Sequence, residues 1–264
     1  MNQRWRNRRD SYRPASEVIN TRAYEIAQTD SDRLVRDFIA QHHYLQTTPP
    51  ARFRFCLYHR EELIGVAVFG HPINDRSLTS TFGCTALEGV ELSRLVLLDE
   101  VPSNGESFFA GYCLRKLKRM GLAGVVTFSD PMPRITAAGD LVKVGHVGTV
   151  YQALNSRYLG RSSPRSLRLL PDGSVLNDRT IQKLRVGEPG TRAIREALAR
   201  LELRLPTGAV GPELTKLLDQ HTRTVRHPGN LKYAWAFSRA AARHLPPVAP
   251  YPKLDPLFHP LHNK

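Results

Sequence analysis

The residues best suited to chemistry sit where apolar segments end. The run Glu91–Leu98, ELSRLVLL, leads into DEVPSNG and then ESFFAGYCLRKL. A loop holding Ser103, Asn104 and Gly105 that opens a helix presents backbone N–H groups at the positive end of the helix dipole, which is phosphate-binding chemistry. Arg94 lies inside the apolar strand, so it needs a buried partner or an anionic ligand, and Glu91 is the nearest candidate partner. Asp130 precedes Pro131 at the carboxyl end of the strand GVVTF, where α/β proteins place their sites, although the pair also makes a good turn. His42, His43 and Tyr44 close a helical segment before the Thr47-Thr48-Pro49-Pro50 break. His43 suits a helix-end hydrogen bond as well as catalysis, His42 is expected at the surface, and Tyr151 suits core packing as well as proton transfer.

The elements that must position these residues follow from hydrophobic period. Tyr24–Gln28 reads as a strand and Ser31–His42 as a helix capped by Ser31. Phe53, Phe55 and Leu57 alternate with polar neighbours, and Leu63–Phe69 completes a hairpin. Glu91–Leu98 is a strand buried on both faces, Glu106–Met120 a helix with Phe109, Cys113 and Leu117 on one side, and Gly124–Phe128 the next strand. Val147–Tyr158 is expected as a second core helix, and Leu167–Leu170 with Ser174–Leu176 as a hairpin about Pro171-Asp172-Gly173. The order β-α-β-β-β-α-β-α-β-β describes an α/β protein with a mixed central sheet flanked by helices. After Asp178 the character changes: Thr191–Arg204 is an amphipathic helix, and His221–Lys253 is aromatic and basic.

The 264 residues are 41% hydrophobic and 23% charged, which excludes wholesale disorder. No stretch reaches the roughly 18–20 apolar residues of a membrane span. The basic start MNQRWRNRRD has no apolar segment behind it and does not read as a secretory signal. Cys56, Cys84 and Cys113 form neither a metal pattern nor a disulfide framework, so a cytoplasmic protein with free thiols is expected. The net charge is +14, with 30 Arg against 8 Lys. Met1–Arg13 holds five Arg against one Asp, Pro14–Ser156 is near neutral with 14 basic and 15 acidic residues, and Arg157–Lys264 holds 19 basic against 8 acidic. A near-neutral body with two basic ends suits a catalytic core with segments that hold a polyanion. The expected division is a basic arm at 1–20, a catalytic domain at 21–180 and a basic nucleic-acid-binding extension at 181–264.

Strand order and the strand-loop-helix junction resemble the GNAT fold of N-acetyltransferases, in which the pyrophosphate of acetyl-CoA lies on the loop after the fourth strand. That loop usually reads Q/R-x-x-G-x-G/A; here a single glycine, Gly105, follows Pro102-Ser103-Asn104. More specifically, HHYLQ, ELSRLVLLDEVPSNGESFF, VVTFSDP, GTVYQALNSRYLG and the tail GNLKYAWAF with PYPK resemble the Mom family. Its members are GNAT-like phage DNA-modification proteins that convert adenine to N6-carbamoylmethyladenine. The likeness covers His42–Leu176, with a weaker echo at Gly229–Lys253.

That resemblance implies catalytic roles for His43, Tyr44, Asp130 and Tyr151. It implies a cofactor strand and helix at Arg94, Leu95, Val96, Asn104, Gly105 and Ser107. It also implies acetyl-CoA as cofactor, iron as a further one, double-stranded DNA and a second copy of the chain as partners, and a role against host restriction. The adenine N6 amine is a poor nucleophile, so attack needs a base, for which Asp130 or His43 is expected, and an acid, for which Tyr151 is expected. The nucleotide would be flipped out of the duplex. Simple acyl transfer would leave N6–CO–CH3 rather than the family's N6–CH2–CO–NH2. The competing readings are an acetyltransferase acting on a protein amine or an aminoacyl-tRNA, and a nucleic-acid-binding protein on the same scaffold.

Overall fold

The computed structural model describes residues 2–203 and 211–253. The chain opens with β1 (Asn2–Arg6) and β2 (Arg9–Arg13), then β3 (Tyr24–Gln28), α1 (Asp32–His42), β4 (Phe53–His59), β5 (Glu62–Gly70), α2 (Arg76–Phe82), β6 (Gly89–Leu97), α3 (Gly105–Arg119) and β7 (Gly124–Ser129). The short strands β8 (Arg134–Ile135) and β9 (Leu141–Lys143) precede α4 (Thr149–Ala153), β10 (Arg157–Arg161), β11 (Arg165–Leu169) and β12 (Val175–Leu176). Then come α5 (Asp178–Val186), α6 (Arg192–Arg200), α7 (Gly211–His221), β13 (Arg223–His227), β14 (Leu231–Ala236) and α8 (Arg239–Arg243). Among the described residues no helix is long and apolar enough to cross a membrane.

Two units emerge. The first takes the chain as far as Pro131, then His146–Ser162, then the described residues from Asn230 on. Its seven strands run in the order β10-β14-β7-β6-β5-β4-β3, and every pair is antiparallel except β6 with β7. This is the GNAT-like mixed sheet expected from the sequence. One face is covered by the large core that includes Phe109, Cys113 and Leu117 of α3 with Val35 and Ile39 of α1. On the other, Leu78 and Phe82 of α2 pack with Val126, Ala234 and Ala241. The alternation is plain in β14: Leu231, Tyr233 and Trp235 join the large core, while Ala234 joins the smaller one.

The second unit takes Met132–Gly145 and Ser163–Gly229, the latter inserted between β10 and its sheet partner β14. In it β11 lies between β12 and β13. Leu176, Ile181, Leu184, Leu198, Leu214 and Leu218 form its core, and Asn177 caps α5 by accepting the Thr180 N–H at 2.8 Å.

Four expectations change. The basic extension is not a C-terminal appendage, because β14 and α8 belong to the catalytic sheet and its cover. Arg204, at the end of the expected helix, and residues 254–264 lie outside the described residues. The expected helix Val147–Tyr158 shrinks to α4: Asn155 turns the chain with φ 54°, and Arg157 and Tyr158 then pair with Ala234 and Tyr233. The N-terminal arm is a hairpin whose Trp5 is 6% exposed and makes a bridge to Leu98. Arg6 pairs with Glu100 and Arg13 with Glu17, so these arginines are spent within the chain.

The fourth correction is His42. It is buried against Phe38, its Nδ1 accepts the Asn7 N–H at 3.2 Å, and its carbonyl accepts the Arg8 N–H at 2.8 Å. Asn7 and Arg8 form the hairpin turn with φ 48° and 67°. Burial, helped by the charge of Arg6, holds the His42 imidazole below its ordinary value. A folded-state pKa below the unfolded one gives stability that is present above the unfolded value and lost as pH falls through the folded one. Acidification from pH 7 to 5 is therefore expected to lower the protection of the Asn7 and Arg8 amides relative to their intrinsic exchange at each pH, and His42→Gln is expected to flatten that pH dependence; equal protection profiles for the two proteins would remove His42 as the cause.

Candidate active site

The parallel pair β6–β7 holds together only from Gly89 to Leu92 against Gly124 to Thr127. Past that point β6 continues to Leu97 alongside β5, and among the described residues its β7-side backbone edge at Ser93–Val96 has no strand partner, while Trp5 of β1 bridges to Leu98 just beyond it. This splay is where a substrate and an extended donor can meet, since unpaired strand amides accept an amide-bearing arm by strand addition. Arg94, Leu95 and Val96 all lie on that edge.

A bulge sets which side chains face the opening. Leu92 pairs with Phe69 and Arg94 with Val68, so Ser93 is the extra residue. Simple alternation would put Glu91 and Arg94 on opposite faces; the bulge puts them on the same one. Arg94 does not ion-pair with Glu91, contrary to the sequence expectation. Its Nε donates to the Thr47 carbonyl at 3.1 Å and a terminal nitrogen to the Ser93 carbonyl at 2.6 Å. Lys232, on the same face, donates to Thr81 Oγ1 at 2.7 Å and to the Ser77 carbonyl at 3.2 Å. Glu91 is thus a half-buried carboxyl with neither cation within ion-pairing distance. Burial pushes it up to about 7, against the opposing charges of Arg94 and Lys232.

Tyr151 comes from α4, enters beneath Gly148 and packs edge-on to Trp235 at 5.8 Å and against Tyr233 at 5.6 Å. Gly148 has φ 68°, and a Cβ there would fall 2.7 Å from the Tyr151 ring, so no side chain is tolerated. The Tyr151 hydroxyl lies near Thr127, whose own Oγ1 donates to the Leu92 carbonyl at 2.9 Å. Burial raises its pKa and Glu91 adds to the rise, while Thr127 and Arg94 oppose it. At neutral pH it therefore keeps its proton and can donate it.

His43 and Tyr44 pack against Trp5 with tilted rings, their centroids at 5.1 and 5.0 Å. His43 is buried, and its Nδ1 accepts the Leu45 N–H at 3.3 Å. Tyr44 is within Coulombic reach of Arg94, as are Glu91 and Tyr151. Asp130 is half-buried where β7 ends, and its carbonyl accepts the His146 N–H at 3.0 Å. Among the described residues no three His, Cys, Asp or Glu side chains gather as a metal-holding group, so the iron implied by the resemblance has no such group to hold it.

The loop into α3 is differently employed than its sequence suggests. Asn104 Oδ1 accepts the Ile19 N–H at 2.8 Å, and Ser103 Oγ donates to the Glu17 carbonyl at 3.1 Å. Gly105 is buried and gives its N–H to the Pro102 carbonyl at 2.9 Å. Arg4, fully buried, donates to the Val101 carbonyl at 2.8 Å, to the Pro102 carbonyl and to Glu106 Oε1. Only Ser107 of the expected helix-end residues is left half-exposed without such a tie. The side chains of this loop are thus turned to the chain itself, and the first turn of α3 carries the carboxyl of Glu106.

Against known proteins, the model of the Mom protein family matches residues 23–204. The chain belongs to the Mom protein family. No curated protein matches it. Among solved structures it is similar to the ribosomal-protein-S18-alanine N-acetyltransferase from Escherichia coli, at 12% identity over 58% of this chain and 88% of that one, with a TM-score of 0.36. It is similar also to a tandem GNAT protein from the clavulanic acid biosynthesis pathway, at 8% identity over 81% and 99% with a TM-score of 0.40. An aminoglycoside 6'-N-acetyltransferase from Enterococcus faecium gives 11% identity over 81% and 97%, with a TM-score of 0.38. Likenesses this loose say nothing of substrate or donor.

In this Mom-family chain the structure places His43 beside Tyr44, and it leaves Tyr44, Glu91 and Tyr151 close enough to act on the charge of Arg94. Sequence reasoning missed Glu91 as a member in its own right, and missed Trp5 and Thr127. An acid three residues before an arginine reads as its salt bridge, and only the bulge shows otherwise.

Proposed function

We propose that the chain is a transferase that modifies the N6 amine of adenine in double-stranded DNA, giving N6-carbamoylmethyladenine, and that the modification shields phage DNA from restriction in the host cytoplasm. The observation that carries the reading is the carboxyl of Glu91 at the splay of a Mom-family sheet, without an ion-pair partner among the described residues and near enough to Tyr151 to act on its hydroxyl. The N6 nitrogen must lose a proton as it gains its bond to carbon, and a carboxyl near pKa 7 takes a proton at neutral pH. Tyr151, protonated and near Thr127, serves the departing group. The strand edge of Arg94, Leu95 and Val96 can receive the amide arm of a carbamoylmethyl donor, whose CH2 carbon bonds to N6 as its bond to the departing group breaks.

An amine inside a duplex is out of reach, so the nucleotide is flipped into the opening. The phosphate contacts are assigned to the segment Ser163–Gly229, with twelve basic residues against seven acidic. The N-terminal hairpin contributes less than its composition suggests, because only Arg8 and Arg9 among its arginines stay exposed without an acidic partner.

The direct test is mass spectrometry of nucleosides from cells expressing the chain, where deoxyadenosine is expected to gain about 57 Da. Unmodified deoxyadenosine beside abundant folded protein would defeat the reading, and acetylated aminoacyl-tRNA or protein would replace it with the acyltransferase alternative. Within the reading, Tyr151→Phe is expected to cut modification about 10²-fold or more. Its stability cost should stay near 1 kcal/mol, because Thr127 keeps its bond to Leu92. Parental turnover by this variant would remove the hydroxyl from the chemistry.

A further inference from the structure

The loop between β6 and α3 has the sequence of an anion site and the contacts of a structural joint. Arg4 is fully buried there, on Val101, Pro102 and Glu106, although nearly one hundred residues separate it from them. Glu106 sits in the first turn of α3, where the helix dipole favours negative charge. Its pKa is raised by burial, with Arg4 and its own backbone N–H opposing the rise. The remaining oxygen, Oε2, is buried with no hydrogen-bond partner. An incoming phosphate would meet that carboxyl. Two of the loop's donors are turned to the chain itself, Gly105 N–H to the Pro102 carbonyl and Ser103 Oγ to the Glu17 carbonyl, and Asn104 presents an acceptor, its Oδ1, to the Ile19 N–H. A Cβ at Gly105 would lie 2.4 Å from Val101 and 3.7 Å from an Arg4 nitrogen, so this glycine serves close packing of the loop rather than approach of a ligand.

We propose that the anion position at the start of α3 is filled from within the chain by Glu106 and Arg4, so that the donor is held at the β6 edge through its amide and acyl groups and without any phosphate on this loop. The inference concerns how the donor is held and stands whether or not adenine is the acceptor. A coenzyme thioester can still place its arm along Arg94, Leu95 and Val96; its diphosphate then lies off the helix end.

The test uses the full chain and two probes, acetyl-CoA and inorganic pyrophosphate, each titrated to millimolar concentration while the amide resonances of Gly105, Glu106 and Ser107 are followed by NMR. Phosphate at a helix N-terminus moves the amides that hold it. The expected result is that these three resonances stay in place with both probes, while acetyl-CoA moves resonances of Ser93–Val96; acetyl-CoA that moves neither set would overturn the holding at the strand edge. A saturable shift at two or more of the three with either probe would overturn the proposal. S-acetylpantetheine, which lacks the diphosphate, supplies the control for the strand edge: it is expected to reproduce whatever shifts acetyl-CoA causes there. Failure of DNA modification in cells would leave this result untouched, so the two readings fail separately.

Discussion

Glu91→Gln is expected to lower the rate of adenine modification by about 10²–10⁴-fold while DNA affinity stays at the parental value. The substitution keeps the shape of a carboxyl that makes no hydrogen bond or ion pair with the described residues, so nothing structural is left unpaired. The pH profile separates a base from a bystander. The groups facing Glu91 are Arg94 and Lys232, whose charges pull its pKa down, and burial, which outweighs them and brings it to about 7. Tyr151 feels the Glu91 charge. The basic form appears as pH rises, so the parental rate should climb about tenfold per unit below pH 7 and level off above it. The glutamine variant should show a low rate without that limb. An unchanged acid limb in Glu91→Gln would assign the titration to another group, with Asp130 the next candidate.

Arg4→Ala is expected to cost about 3–5 kcal/mol of stability, the range seen when one member of a buried ion pair is removed and the other stays. Glu106 would be left without its counter-charge beside an oxygen that already lacks a partner, and the carbonyls of Val101 and Pro102 would lose their donor. Pairing Arg4→Met with Glu106→Leu should recover much of the loss, because a well-packed apolar pair often equals a buried salt bridge. Thermal denaturation of the single and double variants decides it: a melting point for Arg4→Ala within a degree or two of the parent would mean that the hairpin is held by Trp5 and His42 instead.

The β6-loop-α3-β7 core was legible because each element declares itself within a dozen residues: an apolar run, a turn with glycine, a helix with Phe109, Cys113 and Leu117 in phase. What stayed hidden was contact between distant segments. NQRWR has one apolar residue among polar ones and reads as a solvated arm; nothing local says that Arg4 will bury itself on carbonyls beyond residue 100. LKYAWA alternates as a strand should, but its partners, β7 and β10, lie far away in sequence, and its basic, proline-rich surroundings pointed to an appendage. Glu91 was visible as an acid but its role was not. Sequence spacing implies strict alternation along a strand, and a bulge is decided by how β5 and β6 fit together. His42 was misread for the same reason, since it faces the hairpin of residues that precede it by more than thirty positions.

The insertion of Ser163–Gly229 between β10 and β14 has a consequence during synthesis on the ribosome. β7 is complete at Ser129, yet the strand that covers its free edge, β14, begins only at Leu231. At about 5–20 residues per second, the hundred residues between them take roughly 5–20 s to emerge. Throughout that interval the nascent sheet β3-β4-β5-β6-β7 ends on an apolar, hydrogen-bonding edge, GVVTFS, of the kind that templates pairing between chains. The growing polypeptide therefore carries a period of self-association risk that a sheet with a short final hairpin would not have, and trigger-factor-like holding of this edge would matter more for its yield than the stability of the finished fold.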